Sequence, residues 1–136
     1  MVGNDIREGR KHADVIARGD WYIDIHNPKG EGLVNDDGSP IASIEATKKG
    51  PGPGDWYEIP YRSTTAHGLD NLLVASRCID STHEAHAAVR ASQQVCAIGE
   101  GVGTAAAQAV NRKLWSVREV DVQDVQQRLR KSGALI

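Results

Sequence analysis

The run NLLVAS, Asn71 to Ser76, constrains the fold of this chain more than any other stretch. Six mostly apolar residues without alternation are typical of a strand covered on both faces in a parallel α/β sheet. Residues 93–111 follow after a connection, RCIDSTHEAHAAVRA, and their high Ala content and extended apolar pattern predict one long helix. A single strand followed by a helix cannot bury its own faces. The sequence therefore reads as the end of a larger α/β sheet, α+β in isolation, whose remaining strands are supplied by another chain.

The first half is less regular. Residues 4–18, NDIREGRKHADVIAR, place Ile6, Ala13, Val15, Ile16 and Ala17 among charges, with Asn4 or Asp5 able to cap and Gly19 able to terminate, and predict a helix. WYIDIH, Trp21 to His26, alternates and predicts a strand, and IASIEAT, 41–47, predicts a short one. Between and after them, NPKGEGLVNDDGSP and KKGPGPGD read as loops, the second kept non-helical by Pro51 and Pro53. WYEIPYRS, Trp56 to Ser63, resumes strand character, with Pro60 confining it to an edge or a short piece. A last amphipathic helix, Asp121 to Lys131, carries the stripe Val122, Val125 and Leu129.

Several chemistries are disfavoured by the same residues. His83-Glu84-Ala85-His86 resembles a zinc-peptidase helix only superficially. That motif needs two residues between its Glu and its second His, and no third ligand stands nearby, so no metal is expected. Gly99, Gly101 and Gly103 invite a dinucleotide-loop reading, yet GEGVGT is not GxGxxG and no strand directly precedes it. Small residues inside a helix are more simply explained by the close approach of another backbone. A net charge of -2 with scattered Lys and Arg gives no stripe for nucleic acid or an anionic membrane. No apolar run resembles a signal peptide or a membrane span, and Cys78 and Cys96 form no CxxC, so a cytoplasmic chain with reduced thiols is expected. The chain has no Phe, so its small core leans on Val, Ile, Leu and Ala, and on a partner.

Three ordered motifs carry a family resemblance. DNLLVASRCIDSTHEAHAAVR followed by GEGVGTAAAQAV is similar to the C-terminal flavin-binding segment of the FAD-dependent oxidoreductase family related to the succinate dehydrogenase and fumarate reductase flavoproteins. DWYIDIHNPKGEG resembles that family's substrate-domain stretch, and DWYEIPYRS resembles the segment leading back into its nucleotide-binding domain. The resemblance covers roughly residues 5–133. It implies the C-terminal part of a Rossmann-type FAD-binding domain, residues 63–136, joined to part of a β-rich substrate domain, residues 1–62, in a single incomplete unit, 1–136.

By position, the resemblance assigns flavin contacts to Arg77, Cys78, His83, Glu84, Arg90, Ala91, Ser92, Gln93 and Gln94. A helix N-terminus offers unpaired donors and positive potential to the negative N1 and O2 edge of a reduced flavin. Arg90 at such a start is electrostatically unwelcome without an anion beside it. The implied catalytic residues are His26, Tyr61, Arg62 and His83, with His26 taking a hydroxyl proton as hydride leaves for the flavin. The chain departs from the family at Ser76, where Gly is usual, near Ala87, where Gly is usual, and at Gln93 and Gln94, where Pro and Thr are usual.

It also has no GxGxxG strand-turn-helix and no acidic ribose partner after one. The expectation is a small subunit of a heteromeric FAD-dependent oxidoreductase, paired with a larger chain carrying the GxGxxG half and acting on a small organic substrate. The other reading is a non-catalytic remnant that binds or regulates such a flavoprotein.

Overall fold

The computed structural model describes residues 1–25 and 50–136. The expected strand at 41–47, the loop before it and His26 lie outside the described residues. The elements run α1 (Gly3–Arg7), β1 (Val15–Gly19), β2 (Tyr57–Pro60), a 3-10 turn (Tyr61–Thr64), α2 (His83–Val89), α3 (Ser92–Asn111), a second 3-10 turn (Val117–Glu119) and α4 (Val122–Ser132). This is a mixed fold of helices around a small sheet.

The helix expected over 4–18 is instead a short helix and a strand. Gly9, at φ 57°, takes the left-handed conformation that ends α1. The β-branched pair Val15 and Ile16 then enters β1, where branching at Cβ favours extended backbone. β1 pairs antiparallel with β2, Val15 opposite Pro60 and Gly19 opposite Tyr57. Pro60 closes β2 and leads into the 3-10 turn, so the expected strand over 56–63 is half its length. Trp21 to Ile25 form no strand.

The long helix and the last helix match their expected spans closely. Asp121 caps α4 by accepting from the N–H groups of Gln123 (3.1 Å) and Asp124 (3.2 Å), and Gly133, at φ 94°, ends it. Val125 and Leu129 are fully buried, each contributing about 1.5–3 kcal/mol of transfer free energy. Both helices press on β1, and one core joins Ile6, Ile16, Tyr57 and Ile59 to Ile98, Val102, Ala105 and Leu129.

Two buried glutamines fix the layers. Gln126 Nε2 donates to the carbonyls of Ala13 (2.8 Å) and Val15 (3.1 Å), tying α4 to the start of β1. Gln108 on α3 accepts from Asp121 N–H (2.7 Å) and donates to the Asp121 carbonyl (3.1 Å), so α3 holds the cap of α4. Each satisfies backbone groups that would otherwise be stranded at an element end.

NLLVAS is not a strand here. Its only pairing among the described residues is a single antiparallel bridge, Thr65 to Leu73, with Val74 N–H donating to the Thr64 carbonyl (2.8 Å). A strand exists only through hydrogen bonds to a neighbour, and the described residues offer it no sheet. Leu72 is accordingly 44% exposed instead of covered on both faces. The connection after it contains α2. Among the described residues, no helix is long and apolar enough to cross a membrane.

Candidate functional site

The residues assigned to the flavin fall into two groups. Arg90, Ala91, Ser92, Gln93 and Gln94 form the junction between α2 and α3. Ala91 is the N-cap of α3 in extended backbone (φ -63°, ψ 145°) and offers no side-chain cap. Among the described residues, no side-chain cap satisfies the first N–H groups of this 20-residue helix.

The junction is held from behind. Arg77 Nε donates to the Arg90 carbonyl (2.9 Å), and Arg90 Nη2 donates to the Asp24 carbonyl (3.1 Å). A groove of about 300 Å³ opens there, lined by Trp21, Asp24, Ala87, Arg90, Ala91 and Ser92. Trp21 stacks on Tyr22 with ring centroids 4.9 Å apart. Gln94, on the first turn, is 3% exposed, and its Oε1 is buried with no hydrogen-bond partner among the described residues.

The second group is Cys78, ahead of α2, with His83 and Glu84 at its start. His83 and Glu84 occupy its first turn instead of a loop, and Glu84 ion-pairs with Arg7 of α1 at 2.5 Å. Hydrogen bonding to Arg7 holds the Glu84 carboxyl below its ordinary range. Cys78 is exposed, with its N–H bonded to Ser76 Oγ (3.1 Å).

Tyr61 and Arg62 stand apart from both groups. The Tyr61 hydroxyl donates to the Val117 carbonyl (2.7 Å), and burial pushes its pKa up to about 12. Arg62 ion-pairs with Asp14, and its Nη2 lies 3.0 Å from His12 Nδ1.

His12 is lowered from its ordinary value of 6.5, first by burial and then by the Arg62 charge, against the opposing pull of Asp5, Asp14 and Glu58. The folded state therefore binds this proton less readily than the unfolded chain. Its contribution to stability is complete above the unfolded value and is lost as pH falls through the folded one. Between about pH 7 and pH 5 the unfolding midpoint is expected to fall more steeply for the native chain than for His12→Gln. Parallel profiles in urea titrations would show that other groups set this slope.

The resemblance pointed to the junction but not to Trp21 and Asp24, which complete the groove. They sit in a stretch whose alternation reads as strand, and only the tertiary arrangement brings them to α3. A helix start without a side-chain cap beside an arginine can hold the negatively charged or polarised edge of a ligand.

The family model described as FAD dependent oxidoreductase matches residues 1–129. This chain belongs to the FAD dependent oxidoreductase family, and the family's cofactor is FAD. No curated protein and no solved structure matches the chain significantly. N–H groups at a helix start without a side-chain cap can hold the acceptor edge of a flavin pyrimidine ring, and the groove beside them is lined by Arg90, Ala91 and Ser92.

Proposed function

We propose that this chain forms the isoalloxazine side of an FAD-dependent oxidoreductase, working with a larger chain that carries the GxGxxG half. The observation that carries the reading is the start of α3, without a side-chain cap, beside a groove lined by Arg90, Ala91 and Ser92. FAD, when bound, supplies the two-electron acceptor.

In this reading the N–H groups of Ser92, Gln93 and Gln94 hold the flavin's polar edge, and Arg90 adds positive charge beside it. Arg77 keeps the junction backbone in place through its bond to the Arg90 carbonyl (2.9 Å). Cys78, His83 and Glu84 line the approach from the side of α2. His26 takes the hydroxyl proton of a small organic substrate and His83 assists, whereas Tyr61 and Arg62, engaged with the Val117 carbonyl and Asp14, fix the 3-10 turn instead of touching the substrate. In domain terms, residues 1–62 contribute to the substrate side and 63–136 to the flavin side.

The surface around NLLVAS supports the partner. Leu69, Leu72, Val110 and Trp115 are 50%, 44%, 76% and 83% exposed, and a groove of about 390 Å³ runs from Leu73 to Trp115. Exposed apolar side chains and this groove beside an underpaired run of strand composition suit an adjoining sheet. The test is to tag the chain in its native cell, purify it under mild conditions, and record the absorbance spectrum and the co-purifying chains. A flavin spectrum together with a larger GxGxxG chain is the expected result. A colourless chain bound to an intact flavoprotein would favour a regulatory remnant instead.

A further inference from the structure

A second cleft, of about 680 Å³, lies between β1, the loop at 51–56, the first half of α3 and the residues after α4. It shares no lining residue with the groove at the α2 and α3 junction. Its volume falls in the range of small-molecule sites. Ile16, Ala17, Ala97 and Leu135 supply apolar wall, and Trp56 an aromatic one.

Arg18, on β1, is the cleft's only basic side chain among the described residues. Its Cζ sits 4.2 Å from the centroid of Trp56, close enough for a cation-π contact that orients the guanidinium. Lys11 lies 4.1 Å from the same ring and is paired with Asp55 at 2.8 Å. Arg18 has no carboxylate partner among the described residues, and its Nε is buried with no acceptor. A buried donor on a charged group left unmet is unfavourable, whereas a carboxylate meets it with a charge-assisted bond.

Asp20 and Glu100 also line the cleft. Their carboxylates repel a ligand carrying more than one negative charge. We propose that this cleft binds a small monocarboxylate with a branched apolar body, its carboxylate on Arg18 and its body against Trp56, Ala97 and Leu135.

The test is a titration of the ¹⁵N-labelled full chain with 4-methylpentanoate, followed by the Arg18 Nε–H and Trp56 indole N–H resonances. Saturable shifts of both are expected, with affinity lowered at least about tenfold in Arg18→Gln. Ala97→Leu, which keeps Arg18 and fills the wall, is expected to lower it by a similar factor, and circular dichroism confirms that both variants fold. Citrate is expected to bind at least about tenfold more weakly than 4-methylpentanoate. The proposal is overturned by the absence of saturable shifts up to about 20 mM, by unchanged affinity in folded Arg18→Gln, or by citrate binding equally well. None of these readouts involves flavin, so the result is independent of the proposed redox role.

Discussion

Gly101→Val is expected to destabilise the fold by about 3 kcal/mol or more, while alanine at Gly99 or Gly103 stabilises it by about 0.5–1 kcal/mol. The three glycines lie two residues apart on α3 but meet different surroundings. A Cβ at Gly101 would stand 2.7 Å from the Ile16 carbonyl oxygen and 2.9 Å from Ile16 Cβ. The nearest of these is backbone of β1, which cannot yield as a flexible side chain would, so helix and strand must separate. Even Gly101→Ala is expected to lose about 1–3 kcal/mol.

At Gly99 and Gly103 a Cβ meets nothing within 4 Å, leaving only the gain in helix propensity. Urea unfolding followed by circular dichroism measures all four variants. A common sign across the three positions would mean that α3 and β1 are not in backbone contact at Gly101.

Ala91→Asp is expected to move stability and flavin affinity in opposite directions. Ala91 already has extended N-cap backbone, so an Asp carboxylate can accept from the second or third N–H of α3. That cap stabilises the helix by about 0.5–2 kcal/mol. It also takes the donors assigned to the flavin and places a negative charge beside the ligand's negative edge. Flavin affinity in the complex is expected to fall at least about tenfold.

Ala91→Asn separates the contributions, because it caps without the charge. It is expected to stabilise comparably and to weaken flavin binding less. Flavin content read from the absorbance spectrum, with the thermal midpoint of the same sample, decides the matter. A stabilised Ala91→Asp complex with undiminished flavin would place the cofactor elsewhere.

Much of the second half was legible because its signals are local. Asp121 and Gly133 bracket α4, and an Ala-rich stretch without Pro sets the extent of α3. Pro60 correctly marked a short strand, since a missing N–H ends a ladder wherever it occurs. The family was legible too, in the order of three motifs, and the family model matches residues 1–129.

What the sequence could not decide depends on partners distant along the chain. Val15 and Ile16 sit among residues compatible with a helix, and they became a strand because Gly9 broke the helix and β2, more than forty residues on, offered the ladder. NLLVAS has strand composition, yet strand structure needs a neighbour, and among the described residues Thr65 alone pairs with it, at Leu73.

The glycines show the same division most clearly. Composition placed three in one helix, but only packing against Ile16 distinguishes Gly101 from the other two. By itself the sequence determined the family and the spans of α3 and α4, because breakers, caps and motif order are encoded by neighbouring residues. The tertiary structure decided which faces meet, which donors stay unsatisfied and where Arg18 stands, because those depend on through-space contacts that no local pattern specifies.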